Sequence, residues 1–292
     1  MGDRSAIEWT DATWNPVTGC SKVSPGCANC YAETLSLRFG WSEKRWTPAN
    51  APENVLLHPE RLDQPLRWRS PRMVFVNSMS DLFHELVPAE FITAVWDRMR
   101  RCPQHTFQIL SKRPERMLEA ARRVNLIPLP NVWLGTSIEN NRWVGRADVL
   151  REVPSAVRFI SAEPLLGPLP ALDLKGIDWL IVGGESGLRH RAIQLEWVRE
   201  LRDRASAHDV AFFFKQWGGR TPKSGGRTLD GRTWDDMPLR LLSAPEPGLS
   251  AFVDPRGLAP EVDASIVLRE PDQLVDDGIR AVSDGDAMRI RA

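Results

Sequence analysis

The sequence has no excess of either charge and no segment that could cross a membrane. Lysine plus arginine equals aspartate plus glutamate at 38 each, so only a local patch could hold nucleic acid or an anionic surface. No apolar run reaches the length of a membrane span, and the amino terminus lacks the apolar core of a signal peptide. We therefore expect a cytoplasmic protein without a membrane partner.

Cysteine is scarce as well, with four in 292 residues, but three of the four crowd into one loop. Cys20, Cys27 and Cys30 follow the extended stretch Trp14–Gly19, and the reducing cytosol keeps such thiols available for metal. A structural zinc site is usually closed by four protein ligands, whereas a four-iron cluster held by three cysteines keeps one iron open. The three thiols therefore favour the open cluster, and the distant Cys102 is interpreted as a small buried hydrophobic residue.

Short apolar strands alternate with amphipathic stretches along most of the chain. Such strands separated by helices are typical of a parallel sheet covered on its outer side. We predict the α/β class, as a partial (β/α) TIM-like barrel of six to seven parallel strands; a doubly wound open sheet is the competing architecture. The predicted strands lie within Trp14–Gly19, Met73–Val76, Thr106–Leu110, Val132–Leu134, Val157–Ile160, Trp179–Val182 and Ala211–Phe214.

Polar or charged residues directly follow six of these strands. Because the carboxyl ends of parallel strands meet at one edge, their side chains should converge on one cavity. Asp81 and Glu139 could instead begin helices, and His84 could be a hydrogen-bonded scaffold residue. The two basic residues after the second of these strands could pair with glutamates of the following helix. The strand-end residues are Asn77, Ser78, Asp81 and His84; Lys112 and Arg113; Thr136, Ser137 and Glu139; Glu163; Glu185; and Lys215.

Two further segments complete the predicted domain organisation. Residues 41–72 are rich in proline, tryptophan and charge, and their interleaved basic and aromatic side chains could stack a nucleic acid or pack beneath a long loop. Residues 218–242 contain a predicted hairpin that turns at Asp230-Gly231 and would act as a lid or as a passive cap. We assign residues 1–242 to the barrel with this cap, and residues 243–292 to a Pro/Asp-rich, largely irregular tail.

The cysteine loop, which ends Cys27-Ala-Asn-Cys30-Tyr31 after the first strand, resembles the radical S-adenosylmethionine (SAM) superfamily. Most members separate their cysteines by three and then two residues, whereas the gaps here are six and two. A wider set of strings resembles the three-Cys-motif family of phages and bacteria, which has no known function, over about residues 6–238. These strings are Trp14-Asn-Pro-Val-Thr-Gly-Cys20, Cys27-Ala-Asn-Cys30-Tyr-Ala-Glu33, Phe75-Val-Asn-Ser-Met-Ser-Asp81-Leu-Phe-His84, Ser161-Ala-Glu-Pro164, Gly183-Gly-Glu-Ser-Gly187 and Gly226-Arg-Thr-Leu-Asp-Gly-Arg-Thr-Trp234.

The resemblance implies a [4Fe-4S] cluster on Cys20, Cys27 and Cys30, whose fourth iron binds SAM. Reduction by a flavodoxin- or ferredoxin-type partner would cleave SAM to a deoxyadenosyl radical that abstracts hydrogen from the substrate. Position and side-chain chemistry then suggest the remaining roles as hypotheses. These are Tyr31 near the adenine; Asn77, Ser78 and Asp81 at the methionine amino and ribose groups; Lys112 or Arg113 at the carboxylate; Thr136, Ser137, Glu139 and Glu163 lining the cofactor cavity; and Glu185 and Lys215 as candidate catalytic residues.

Three functions from different classes follow from these observations. The first is a radical SAM enzyme that acts on a nucleic acid or on another substrate. The second is a zinc-binding, nucleic-acid-binding protein in which His84 or Cys102 supplies the fourth ligand. The third is an unmetallated barrel that serves as an interaction scaffold. No motif selects the substrate or the oligomeric state.

Overall fold

The computed structural model describes residues 5–238. The tail predicted for residues 243–292 and the end of the predicted cap hairpin, residues 239–242, lie outside the described residues. The described residues contain nine strands. These are β1 (Ala12–Trp14), β2 (Val17–Thr18), β3 (Leu56–Leu57), β4 (Met73–Val76), β5 (Thr106–Ser111), β6 (Val132–Ser137), β7 (Val157–Ala162), β8 (Trp179–Gly183) and β9 (Ala211–Gln216).

Seven of these strands form one parallel sheet in the order β1-β4-β5-β6-β7-β8-β9. Each strand lies beside the next strand of this sheet along the chain. A doubly wound sheet instead reverses its strand order at a switch point. The predicted partial barrel is therefore confirmed, and the doubly wound alternative is wrong.

The first strand differs from its prediction. The sequence predicts one strand within Trp14–Gly19, whereas the sheet strand β1 ends at Trp14 and pairs with β4. The short strand β2 leaves the sheet and pairs antiparallel with β3. Pro16 lies between β1 and β2, and its missing N–H cannot continue a hydrogen-bond ladder. The extended stretch before the cysteines is therefore divided between two sheets.

Six α-helices connect or flank the strands in the described residues, and apolar residues of the last four pack in the core on the outer face of the sheet. In the third helix, Phe91, Ile92, Val95, Trp96 and Met99 are buried at helical spacing. The bounds are α1 (Tyr31–Arg38), α2 (Ala51–Asn54), α3 (Ala89–Arg100), α4 (Pro114–Arg123), α5 (Gly145–Glu152) and α6 (Leu195–Ala207). No helix among residues 5–238 is long and apolar enough to cross a membrane.

The two faces of the sheet have separate cores, because alternate residues of a strand point to opposite sides. The outward-facing residues, such as Val74, Leu134 and Leu180, pack with the helices. The inward-facing residues form a second core that is mainly aromatic. It contains Trp9, Phe75, Trp133, Phe159, Trp179, Ile181 and Phe213.

This aromatic core shows that the sheet is curled. The rings of Trp9, just before β1, and Trp179, in β8, lie 6.1 Å apart between centroids. Five strand spacings of about 4.8 Å would separate these two strands by about 24 Å in a flat sheet. Gly135 makes room for the inward-facing side chains, because a β-carbon at this position would lie 2.5 Å from the Phe159 ring. The aromatic side chains of the inner core therefore fill the interior of the curled sheet beneath its carboxyl-terminal edge.

The described part of the predicted cap lies along β9. The predicted tight turn is present, with φ of 51° at Asp230 and 81° at Gly231. Asp230 accepts hydrogen bonds from Arg199 and Arg202 of α6. The Trp234 carbonyl accepts a hydrogen bond from the backbone of β9 at 2.9 Å. This segment thus borders the last strand of the sheet and the helix beside it.

Candidate active site at the cysteine loop

The cysteine loop lies at the carboxyl-terminal edge of the sheet. Gly19 begins the loop with a φ of 79°, and its N–H donates to the Met79 carbonyl beyond β4 at 3.0 Å. A β-carbon at Gly19 would lie 1.7 Å from the carbonyl oxygen of Asn54. Only glycine fits both this backbone conformation and this close approach. The loop therefore has a fixed starting point against residues 41–72, which we call the insertion.

All three clustered thiols line one cavity of about 150 Å³. The structure thus places Cys20, Cys27 and Cys30 around the same cavity. The ends of β4, β5 and β6, the start of α1 and the insertion supply the other walls. The further lining residues used below are Tyr31, Trp46, Asn77, Ser78, Lys112 and Ser137.

Arg113 joins the start of the cysteine loop to two strand ends. Its Nη1 lies 3.2 Å from Asp81 Oδ2 and 3.5 Å from Cys20 Sγ, and its Nη2 donates to the Ser21 carbonyl at 3.1 Å. Its Nε donates to Glu85 at 2.9 Å. These bonds occupy the buried guanidinium with protein partners. Arg113 therefore holds Cys20 and Ser21 in place.

Both carboxylate oxygens of Asp81 likewise accept hydrogen bonds from other residues of the protein. Its Oδ1 accepts from the Phe83 N–H and the Ser111 hydroxyl, and its Oδ2 accepts from the Lys112 N–H and Arg113. Charge-assisted bonds of this kind are the stronger class of hydrogen bond. The structure therefore places Asp81 in the support of the site, whereas the sequence suggests a direct contact with the cofactor.

Glu139, which follows β6, anchors the middle of the cysteine loop. This carboxylate is fully buried, and its Oε1 accepts a hydrogen bond from the Gly26 N–H at 3.1 Å. Its Oε2 accepts from Arg146 of α5 at 3.0 Å, and the same guanidinium donates to the Ser137 carbonyl. A buried charge is tolerated when it is paired in this way. Glu139 thus supports the loop between Cys20 and Cys27.

Glu185, which follows β8, anchors the end of the loop. Its Oε2 accepts from Asn29 Nδ2 at 2.9 Å and from the Arg191 backbone, and Arg191 also forms an ion pair with it. Arg191 in turn donates to the Pro25 carbonyl at 3.0 Å. Burial opposes ionisation, yet hydrogen bonds from Arg191 and Asn29 hold the pKa of Glu185 below its usual value. Glu185 is therefore a charged loop anchor in the structure.

Three polar groups at the cavity have no hydrogen-bond or ion-pair partner among the described residues. The Lys112 ammonium makes no hydrogen bond or ion pair with residues 5–238. Asn77 Nδ2 and Ser137 Oγ are buried at the cavity without a hydrogen-bond partner among these residues. Asn77 reaches this position with a φ of 60°, which asparagine tolerates better than most residues. These groups are the ones available to a small ligand.

The remaining predicted residues fall on both sides of this cavity. The Tyr31 hydroxyl donates to the Ser78 carbonyl at 2.5 Å, so both residues lie at the rim beside Cys30. Thr136 donates to the Ser111 carbonyl and does not line the cavity. Glu163 and Lys215, at the ends of β7 and β9, form an ion pair of 2.6 Å above Gly183. The site therefore has two parts, which are the cavity lined by the cysteines and the Glu163–Lys215 ion pair outside that lining.

Burial shapes the chemistry of the thiols. Burial, with the nearby Asp81 carboxylate, raises the pKa of Cys20 to about 12, although Arg113 acts in the opposite sense. Burial also raises the pKa of Cys30, partly opposed by Lys112. In the absence of metal both side chains are thiols at neutral pH. A positive metal centre would supply the charge that stabilises their thiolates.

Neither residue considered as a fourth ligand fits that role. His84 Nε2 is bonded to Ser21 Oγ at 2.9 Å, and its Nδ1 accepts from the Leu86 N–H at 3.1 Å. Cys102 is buried in the outer core, before β5 and so at the opposite edge of the sheet. His84 is thus the hydrogen-bonded scaffold residue, and Cys102 is the buried hydrophobic residue that the sequence suggests.

Among residues 5–238, the cavity therefore offers three thiols, and neither His84 nor Cys102 is placed as a fourth ligand. Within residues 5–238, no three or more Cys, His, Asp or Glu side chains, these thiols included, converge on a position for a single metal ion. In a four-iron cluster each cysteine binds a different iron, so three thiols around one cavity suit an iron–sulfur cluster with an open iron better than a single, closed zinc site. The unpartnered Lys112, Asn77 and Ser137 beside the thiols are suited to a second, polar ligand.

Several residues of the site were not predicted from the sequence. No sequence motif indicates Arg146 or Arg191, because their roles depend on loops that come together only in the folded chain. Trp46 lies in the insertion with a basic-aromatic pattern, but it is buried against Ala32 and Met79 beside the cysteines. Trp68 is buried in the outer core. These two tryptophans therefore pack beneath the long loop and do not form a stacking surface.

The comparisons with known proteins give one structural and one family match. The chain is similar to a solved structure of spore photoproduct lyase complexed with dinucleoside spore photoproduct, at 12% identity and a TM-score of 0.35. The similarity covers 65% of this chain and 59% of that chain. No curated protein matches the sequence. The family described as "Protein of unknown function (DUF5131)" matches residues 4–238, and the chain belongs to that family.

Proposed function

We propose that the protein is a radical SAM enzyme that carries a [4Fe-4S] cluster on Cys20, Cys27 and Cys30. The observation that carries the proposal is the set of three thiols around one cavity, with no fourth protein ligand among residues 5–238. The unused ammonium of Lys112 beside them supplies a site for an anionic group. When bound and reduced, the cluster would supply the electron that cleaves SAM to methionine and a deoxyadenosyl radical.

The residues of the chain divide into supports and ligand contacts. Asp81, Arg113, Glu139 and Glu185 hold the cysteine loop through the hydrogen bonds described above. In the proposal, the cofactor contacts come from another set, whose polar atoms are free at the cavity. Lys112 binds the SAM carboxylate, Asn77 Nδ2 and Ser137 Oγ donate to its polar groups, and Tyr31 packs at the rim.

The Glu163–Lys215 pair is assigned to the substrate side of the site. It lies at the ends of β7 and β9, outside the lining of the cysteine cavity, and both side chains are only partly exposed. A paired acid and base can release either partner to an incoming polar substrate. The sequence suggests that Glu185 contacts the substrate, but the proposal assigns it no such contact. Its carboxylate oxygens accept hydrogen bonds from Asn29 and Arg191 instead. Lys215 remains a candidate catalytic residue.

Anaerobic reconstitution of the full chain with iron and sulfide tests the proposal. We expect about four iron and four sulfide per chain, absorbance that bleaches on dithionite, and deoxyadenosine when SAM is added. Cys27→Ala should lose the cluster and deoxyadenosine formation, whereas Cys102→Ala, at the opposite edge, should keep both. Colourless protein with one zinc per chain would support the zinc-binding alternative, and protein without metal would support the scaffold alternative.

A further inference from the structure

Two aromatic rings stack on the surface at the end of α1. The rings of Phe39 and Trp41 lie 5.2 Å apart between centroids with an interplanar angle of 29°. Their exposed fractions are 56% and 54%, in contrast to the buried Trp46 and Trp68. Leaving two large rings in water is costly when they could be buried. This aromatic pair therefore requires an explanation that packing does not give.

The backbone holds the pair in a defined position. The Trp41 N–H donates to the Ser36 carbonyl at 2.8 Å, and the Gly40 N–H donates to the Leu37 carbonyl at 3.4 Å. Gly40 has a φ of 67°. These two bonds and the left-handed glycine form a Schellman motif, which ends the helix and turns the chain back. The rings are therefore presented by a well-formed helix end, so their order does not depend on a partner.

The charge beside the rings is positive. The Arg38 guanidinium lies 5.7 Å from the centroid of the Phe39 ring, and Arg38, Lys44 and Arg45 are exposed. Glu43 is the acidic residue within 38–45, and from outside this segment Glu53 pairs with Lys44 and Glu33 lies 4.0 Å from Arg45. Arg38 is thus the cation at the rings that has no ion pair among the described residues. Aromatic faces with neighbouring cations are the combination that binds single-stranded nucleic acid through base stacking and phosphate contacts.

The aromatic pair is connected to the cysteine site along one face of α1. Tyr31 begins the helix at the cavity rim, and Arg38 ends it seven residues later on the same face. The rise of an α-helix places these two residues about 10 Å apart along the axis. Tyr31, Thr34 and Arg38 are all exposed. An extended strand bound at the aromatic pair could therefore follow this face to the cavity.

We infer that Phe39, Trp41 and Arg38 form a stacking platform for single-stranded nucleic acid, and that a nucleotide adjacent to the stacked base reaches the cavity at Tyr31. The second half of this statement rests on the proposed function; the first half does not. An aromatic surface can also bind a protein or a second copy of the chain. The Arg38 guanidinium beside the exposed Phe39 ring favours the nucleic acid, because it can contact a phosphate next to a stacked base.

Fluorescence anisotropy with a labelled, single-stranded oligodeoxythymidine tests the platform in metal-free, full-length protein. We expect saturable binding that weakens as salt is raised. Trp41→Ala and Phe39→Ala should each weaken binding about tenfold, since base stacking contributes about 1–3 kcal/mol per base. Ile127→Ala is the matched control, because Ile127 is an exposed apolar residue (67%) that precedes β6 and so lies toward the opposite edge. This variant should bind as the unaltered protein does.

Arg38→Gln provides a second, gentler variant. It should bind more weakly at low salt and reduce the slope of log affinity against log salt by about one. Unaltered affinity in both aromatic variants would overturn the platform, as would failure of the unaltered protein to bind the oligonucleotide. Concentration-dependent association of the protein that Trp41→Ala abolishes would also overturn it, by identifying a protein interface.

The outcomes for the platform and for the proposed function are separable. Oligonucleotide binding is measured without metal, whereas SAM cleavage is measured in reconstituted protein without oligonucleotide. Trp41→Ala should leave cluster content and deoxyadenosine formation unchanged while it weakens oligonucleotide binding. Binding without any SAM cleavage would keep the platform and reject the enzyme. SAM cleavage without oligonucleotide binding would keep the proposed enzyme and reject the platform.

Discussion

Arg113 Nη1 lies 3.5 Å from Cys20 Sγ while the same guanidinium is paired with Asp81. The side chain of Arg113 thus connects a cysteine of the loop to the ends of β4 and β5. Its planar fork provides donors in fixed directions, which a lysine ammonium cannot reproduce. The position of Cys20 therefore depends on the shape of the Arg113 side chain as well as on its charge.

Arg113→Lys should lower both stability and cluster loading. The charge is kept, but the bonds to Ser21 and Glu85 cannot all be made, so we expect a loss of about 2 kcal/mol in the free energy of unfolding. Urea denaturation and the iron content after reconstitution measure the two effects. Arg122→Lys, which alters an exposed pair with Glu152, should change stability by less than about 0.5 kcal/mol. Equal behaviour of the two variants would contradict the anchoring role.

Gly19→Ala should be among the most damaging single substitutions in the chain. Its β-carbon would meet the Asn54 carbonyl oxygen at 1.7 Å, and the φ of 79° adds strain. We expect a loss of more than about 3 kcal/mol or a failure to fold. Gly176→Ala has a similar φ of 70° but open space around it, and should cost about 1–2 kcal/mol. Thermal unfolding of the two variants separates close approach from backbone strain.

If the proposed function is correct, Lys112→Met weakens SAM binding without weakening the fold. Its ammonium has no partner among the described residues, so removal breaks no ion pair there. Loss of a charge-assisted contact to a carboxylate should reduce affinity at least about tenfold. Calorimetric titration of SAM into anaerobically reconstituted protein gives the affinity, with Lys175→Met at an exposed position as control. Unchanged SAM affinity in Lys112→Met would exclude the assigned contact.

The Glu185 anchor should make stability depend on pH in the acid range. Burial opposes ionisation, but the bonds from Arg191 and Asn29 lower the pKa of this carboxyl from 4.5. The unfolded chain therefore binds more protons between the two pKa values, and stability rises with pH across that window. The stability difference between the protein and Glu185→Gln should be constant above about pH 5.5 and shrink as pH falls below 4.5. A difference that does not change with pH would argue against a charged anchor.

The fold was predictable because its strands are continuous apolar runs. Val74, Leu180 and Phe214 belong to strands whose two faces are both buried, and such runs show directly in the sequence. The position of the site was predictable for the related reason that parallel strands end at one edge. The first strand was less predictable, since the interruption by Pro16 falls within a stretch that reads as continuous.

The roles within the site could not be predicted in the same way. Asp81, Glu139 and Glu185 look alike in sequence as acids that follow strands. Whether such an acid meets a ligand or the cysteine loop depends on how the loop folds back over the edge. That path is set by contacts such as Gly26 to Glu139, between residues 113 positions apart. The exposure of Trp41 and the burial of Trp46, five residues later, likewise depend on the turn at Gly40.

The hydrogen bond from Asn29 to Glu185 joins residues 156 positions apart. It has a consequence for biosynthesis, because the cysteines are made early while Glu185 and Arg191 are among the later residues of the barrel. The loop cannot reach its anchored conformation until the ribosome has released the segment beyond β8. In the proposed function, cluster loading should therefore follow synthesis of the segment through Arg191, and a nascent chain stalled before Glu185 should present three accessible, unanchored thiols.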